Sequence, residues 1–383
     1  MKYYKKIDGK NIYLASIQLE DAESYLQMKT ATDNLSRVVF DTYKEEAYDL
    51  ENAKNELNDL AAKNAFAIIS KDTDEMIGLI GLSNTLAMNQ RSDMWIKMYT
   101  NLDYEKQVCN GTEAVNLLLA YCYQVMNLHS VVATTPSFNT QAMDIYNRSS
   151  LVYYGYRSES ERYIDKKFYP TVYYQCTPRI FRDTSLYRMI DCSRFHGREL
   201  HISNDDEKNM SSLLVGGRIC LSKYEGQEEY IPVLSSYLNN PAVSIPIGEY
   251  KTNWNNYRAQ KQLQDIDYMI LKDEKLLGYI NLFRKDYKNR TADLEILIGD
   301  VNEHNKGYGK EALELYLREQ YQNGPFNNIL SCVFGFNHPS MSLHRSLGYQ
   351  PIGIREEGYF AYGKLQDMHL YEMTSDIHKQ KVK

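Results

Sequence analysis

The chain repeats its pattern of elements once, at a spacing of about 200 residues, and this restricts its fold more than its composition does. "NLHSVVATTPSFN" (127–139) and "NNILSCVFGFN" (327–337) are both alternating strands that end in Phe-Asn. Each follows a helix with glycine near its start, "EKQVCNGTEAVNLLLAY" (105–121) and "NEHNKGYGKEALELYL" (302–317). Each leads to a short helix, a Gly-Tyr pair and closing strands. Upstream, "NIYLASIQLEDAESYLQM" (11–28) and "RICLSKYEGQEEYIPVLSSYL" (218–238) both read as strand then helix. "AFAIISKDTDEMIGLIGLSN" (65–84) and "DYMILKDEKLLGYINLF" (267–283) both read as hairpins. The period is too long for a solenoid, so a duplicated domain is expected. Its parts are residues 1–181, a polar connection at 182–217, and residues 218–383.

The second copy carries Gly307 and Gly309 around Tyr308, just where an amphipathic helix begins. Glycine costs about 1 kcal/mol against alanine inside a helix, but it suits tight turns and close backbone approach. Upstream, "TADLEILIGD" (291–300) reads as a buried strand. The unit is therefore strand, glycine-containing loop, helix. The unpartnered amides of such a helix start make an anion site. The spacing is neither the Walker pattern nor the full Rossmann G-x-G-x-x-G. A plain tight turn explains the glycines equally well.

A chain of 383 residues with 43% hydrophobic and 25% charged content is globular and long enough for two domains. The net charge of −6 argues against general nucleic-acid binding. No apolar run is long enough to span a membrane, and "MKYYKKIDGK" is too polar for a signal peptide. Six cysteines without a C-x-x-C pair read as reduced thiols of a cytoplasmic protein. The eight histidines form no ligand cluster, so no metal is expected. The 34 tyrosines, many in runs such as "LVYYGY", read as strand packing.

The order β–α–α–β–β–β–loop–α–β–α–β–β resembles the GCN5-related N-acetyltransferase (GNAT) superfamily, in its ribosomal-protein N-terminal acetyltransferase-like branch. "HNKGYG" (304–309) resembles the family's pyrophosphate loop, with His304 where Gln or Arg is preferred. "FNHPSMSLHRSLGY" resembles its Phe-Asn, short-helix, Leu-Gly-Phe segment, and "GKLQD" its turn near the C-terminus. The resemblance implies an α/β (α+β) protein. It would contain two tandem domains, each a mixed, mostly antiparallel twisted sheet flanked by helices.

It also implies an acetyl-CoA-dependent N-acetyltransferase acting on a small-molecule, peptide or protein-N-terminal amine, as a monomer or loose homodimer. The phosphates would lie on His304, Asn305, Lys306, Gly307, Tyr308, Gly309 and Lys310. The pantetheine would lie along Leu297, Ile298 and Gly299, with Asn337 and Ser340 beside the cofactor. Asp293 and Glu295 lie two apart on one strand and so share a face. Either could serve as base, or both could be solvent-side partners of Lys or Arg. His344 occupies the family's general-acid position, which is Tyr146 in copy one.

The first copy departs from the pattern. Cys109 replaces the first glycine, in a loop expected to be about two residues longer by the repeat alignment. The interval from Asn139 to Gly155 exceeds that from Asn337 to Gly348, which predicts a longer final helix or exit. The first copy is thus expected to be degenerate, with chemistry in the second. The alternative is a catalytically inactive CoA-binding sensor or substrate-recognition protein.

Overall fold

The computed structural model describes residues 3–30, 48–98, 103–163, 165–183, 191–200, 210–249 and 253–382. They pack as two compact units, Met1–Glu199 and Leu200–Lys383. Parts of the expected connection, 184–190 and 201–209, lie outside the described residues. The described remainder of the connection is anchored. Arg198 exchanges two backbone hydrogen bonds with Phe168, and the Ser211 amide donates to Glu319 Oε1 at 2.7 Å.

The first unit runs β1 (Lys5–Asp8), β2 (Ile12–Ala15), α1 (Ala22–Thr30), α2 (Leu50–Ala61), β3 (Ala65–Ser70), β4 (Met76–Leu86) and β5 (Arg91–Met98). It continues through α3 (Tyr104–Gln124), β6 (Ser130–Pro136), α4 (Thr140–Arg148), β7 (Val152–Arg162), β8 (Phe168–Cys176) and α5 (Pro178–Arg182). Its strands lie in the order β1-β2-β3-β4-β5-β6-β8-β7, antiparallel except for the parallel β5–β6 pair.

The second unit repeats this plan. It runs β9 (Leu213–Val215), β10 (Cys220–Ser222), α6 (Tyr230–Asn239), α7 (Pro241–Ser244), α8 (Asn256–Asp265), β11 (Tyr268–Lys272), β12 (Lys275–Asp286) and β13 (Thr291–Ile298). Then come α9 (Tyr308–Asn323), β14 (Asn328–Phe334), α10 (His338–Ser346), β15 (Gln350–Ala361), β16 (Lys364–Thr374) and α11 (Ser375–Val382). Its strand order is β9-β10-β11-β12-β13-β14-β16-β15, again with one parallel pair, β13–β14.

Strand alternation sends successive side chains to opposite faces, so each sheet builds two cores. In the second unit Ile270, Ile280, Leu294 and Ile329 pack beneath α9, which contributes Leu313 and Tyr316. Met269, Tyr279 and Leu297 face the other way, against Leu234 and Leu238 of α6 and Leu263 of α8. The first unit divides likewise, with Ile68 and Ile80 on one side and Ile69 and Leu79 on the other. The repeat holds residue by residue: Gly78 is paired with Met98, and Gly278 with Ile298. Among the described residues, no helix is long and apolar enough to cross a membrane.

Candidate functional site

The site grows from the parallel strand pair. β13 and β14 are in register only from Thr291–Asp293 against Asn328–Leu330, yet they run on to Ile298 and Phe334. Beyond Asp293 they part and leave an open edge on β13. The first unit opens in the same way beyond Asp93 and Val132.

In the second unit the chain leaves β13 through a structured loop. Gly299 passes so close to the Tyr237 ring that a Cβ would come within 2.1 Å of it. A short 3-10 turn, Val301–Glu303, follows. The His304 ring nitrogen Nε2 then lies 2.8 Å from the Ile298 carbonyl, tying the loop to the strand end. Asn305 and Gly307 adopt left-handed φ values of 62° and 87°. Gly307 is the N-cap of α9 and supplies no side-chain cap; the first intrahelical bond is from the Glu311 amide to the Gly307 carbonyl. The Tyr308, Gly309 and Lys310 amides therefore precede the intrahelical ladder. A Cβ on Gly309 would meet only ordinary contacts, Ile298 Cγ1 at 3.7 Å and Leu343 Cδ2 at 3.8 Å. Packing does not demand glycine there, and the bare backbone allows close approach. Such a helix start fits a diphosphate.

Positive charge collects around it. The Lys272 Nζ and the Arg218 guanidinium stand 4.9 and 5.0 Å from the Tyr308 ring centre. Lys272 and Lys306 both pair with Glu303, at 3.3 and 3.2 Å. Lys310 lies 3.9 Å from Glu314. Arg218, Lys310 and Arg318, together with Glu311 and Glu314, line an open groove of about 640 Å³ beside Gly307.

The first unit corrects one expectation. No longer loop holds Cys109; the residue lies inside α3, which begins at Tyr104, only a short way past the strand end at Met98. A Cβ disfavours the left-handed turn that Gly307 makes, so the helix runs through this position. Asp103 caps it, accepting from the Lys106 amide at 2.9 Å. The amides that correspond to Tyr308–Lys310 therefore lie inside α3, within its helical ladder. Gly111 is used for packing, since a Cβ there would meet Ile145 at 2.5 Å.

A second correction concerns the final helix. α4 and α10 are equally long, each capped by its asparagine, Asn139 or Asn337. Gly155 is not the partner of Gly348. It sits at the β7–β8 irregularity after Tyr153, as Gly353 sits at the β15–β16 irregularity after Pro351.

Asp293 and Glu295 do share a face, directed with Leu297 and Tyr279 toward the α6 and α8 side. Asp293 is buried and pairs with Arg284 at 3.3 Å. Glu295 accepts from the Tyr279 hydroxyl at 2.8 Å and lies across the strands from buried Asn281. Burial raises its pKa above the usual carboxylate range; the Tyr279 bond opposes this, and the nearby Glu249 charge adds to it. In the first unit the cross-strand pair is Gly81 and Trp95, with the indole packed over the glycine.

His344 and Tyr146, at the position where the resemblance puts the general acid, are both buried in the core. His344 is 1% exposed, its Nδ1 lies 2.7 Å from the Ser340 carbonyl, and its ring packs on Tyr349 and Tyr371. Burial pushes its pKa down to about 4, against the raising effect of the Ser340 carbonyl. Tyr146 packs on Tyr174, and burial holds its hydroxyl protonated. Both face inward from a short amphipathic helix, a periodicity that marks a core face as readily as a catalytic one.

Asn337 accepts from the Ser340 amide at 3.2 Å and donates from Nδ2 to the Pro246 carbonyl at 3.3 Å, which draws the Ile245–Ile247 turn to the mouth of the split. Ser340 Oγ lies 3.4 Å from His344 Nδ1. Leu297 is buried beneath α6, with Ile298 partly buried beside α9. The sequence reading missed Arg218, Asp103 and Trp95. Trp95 was legible, since it stands at the repeat position of Glu295.

Two family models, both described as "Acetyltransferase (GNAT) domain", match residues 11–151 and 242–370. The chain is 27% identical over 127 residues to the SPbeta prophage-derived uncharacterized N-acetyltransferase YokL of Bacillus subtilis (strain 168), covering 32% of this chain and 71% of that protein. It is 24% identical over 186 residues to the N-acetyltransferase 9-like protein of Nematostella vectensis, covering 44% and 93%. Among solved structures, it is similar to an acetyltransferase (GNAT family) from Bacillus anthracis, with TM-score 0.39, 16% identity and coverage of 45% and 97%. It is also similar to RimL, the ribosomal L7/L12 alpha-N-protein acetyltransferase, in complex with coenzyme A, with TM-score 0.39, 15% identity and coverage of 43% and 99%.

Proposed function

This chain is an acyltransferase of the GNAT family, two of whose domains it carries in tandem, and from that premise we propose that the second unit binds acetyl-CoA and acetylates a primary amine while the first binds no donor. The observation that carries this is the contrast between the two units at the corresponding position, a helix start in one and helix interior in the other. α9 opens at left-handed Gly307 without a side-chain cap, whereas α3 is capped by the Asp103 carboxylate. A diphosphate complements the first and is repelled by the second.

The Tyr308, Gly309 and Lys310 amides would hold the diphosphate, and the open β13 edge near Leu297–Gly299 would hold the pantetheine. The bound thioester supplies an acyl carbon open to attack by a neutral amine. Glu295 accepts the ammonium proton, directly or through water; its raised pKa brings it nearer the working pH of a general base. The amine nitrogen forms the C–N bond and releases its second proton to solvent, the C–S bond breaks, and the thiolate takes up a proton from solvent. Glu295 and Glu249 together favour a cationic acceptor, whether a small amine, a peptide or a protein N-terminus.

Isothermal titration with CoA should give one site per chain. Gly309→Val should lose that site with no change in thermal midpoint. Glu295→Gln should keep it and lower kcat by about 10²–10⁴-fold against a competent amine. Two CoA sites per chain, or a Gly309→Val variant that binds like wild type, would defeat the assignment. CoA binding without turnover over a panel of amines would favour a sensor.

A further inference from the structure

We propose that Arg218 is a donor-specificity residue: it fixes the phosphate-binding amides of the second unit and offers its guanidinium to the donor's diphosphate. This rests on the reading of that unit as the acetyl-CoA site. Arg218 lies far from the loop in sequence, just after the Gly216–Gly217 turn that precedes β10. Its amide donates to Glu311 Oε1 at 2.8 Å, its Nε to Glu311 Oε2 at 2.9 Å, and its Nη1 to the Lys306 carbonyl at 2.8 Å. Its guanidinium lies over the Tyr308 ring, and Nη2 stands 3.1 Å from where a Cβ on Gly307 would be. One side chain thus touches residues 306, 307, 308 and 311, which together form the end of the loop and the first turn of α9. The rigid fork of a guanidinium suits this, because it can hold the carbonyl and the carboxylate while still presenting N–H groups to phosphate.

The charge pattern points the same way. A helix start carries partial positive charge and is stabilised by acidic groups. Here Glu311 is the acidic residue of the first turn, and Arg218 engages it, so a cation sits at the positive end of the helix. That arrangement leaves a guanidinium beside the positive end of the helix, where it favours an anion. The first unit follows the ordinary rule. Asn11 takes the equivalent place, donating to Glu113 from its amide and Nδ2, and Asp103 caps the helix. The two copies thus differ at one equivalent position, an arginine beside an uncapped helix start in one and an asparagine in the other.

The test uses the full chain and two donors, acetyl-CoA and the phosphate-free S-acetylpantetheine at high concentration. For Arg218→Gln, KM for acetyl-CoA should rise about 10–100-fold, the loss expected for charge-assisted hydrogen bonds. The kcat at saturation and KM for the amine should stay within about twofold. Turnover of S-acetylpantetheine should be unchanged, and Arg218→Lys should recover part of the acetyl-CoA affinity. Equal losses on both donors would mean that Arg218 serves only the fold and would overturn the inference. So would unchanged CoA titration in Arg218→Gln. Wild-type protein that binds no CoA would overturn the underlying reading instead.

Discussion

Burial sets the protonation of His344, and the consequence is a pH dependence of stability. Its folded pKa of about 4 lies below the ordinary 6.5. Between those values the unfolded chain binds more protons than the folded one, so stability falls as pH drops from 6.5 toward 4. Above 6.5 the contribution is fully present. At about 1.4 kcal/mol per unit, the loss is on the order of 3 kcal/mol. Chemical denaturation at stepped pH should show this slope, and His344→Phe should flatten it. A slope unchanged in the variant would mean that other groups carry it. The position of His344 was legible in the sequence, seven residues after Asn337, but its depth was not. Spacing on an amphipathic helix gives a face; only Tyr349, just before β15, and Tyr371 of β16 decide what that face meets. Glu295 was more legible, because strand alternation alone assigns it to the face of Asp293.

Helix starts divide the two units at the next scale. Asp103→Ala should lower the stability of the first unit by about 1 kcal/mol, the usual worth of a capping carboxylate. Acetylation should be untouched, measured as kcat/KM beside a thermal melt. A large fall in activity with an unchanged melt would return the donor site to the first unit. The order of strands and helices was readable from periodicity in both copies except for the opening strand of each, Lys5–Asp8 and Leu213–Val215, the second of which lies in the expected connection. The extension of α3 through Cys109 was not readable from the glycine pattern. It depends on a non-glycine residue refusing the left-handed turn and on Asp103 offering a cap nearer the strand. The displaced Gly155 misled for a related reason: Gly-Tyr recurs where a strand bulges as well as where a helix ends.

At the scale of the whole molecule, duplication was the most legible feature, since two copies of each strand and helix support one another. Arg218 was the least legible, because its partners lie about 90 residues on and no local pattern announces them. The duplication also makes each unit a reference for the other. The first unit keeps the split strands and the helix but crosses between them by a shorter path, with its helix capped. The second spends longer, holding Asn305 and Gly307 in left-handed backbone and leaving its helix uncapped. The scaffold evidently folds without the long crossing. Replacing residues 299–307 by 99–109 should therefore give a second unit with a higher thermal midpoint and no CoA binding. A lower midpoint would show that the long crossing supports the fold. On this view the duplicated chain carries a donor-free control beside its donor-binding copy, and the difference in melting between native and grafted protein measures how much conformational stability the donor site forgoes to stay ready for its ligand.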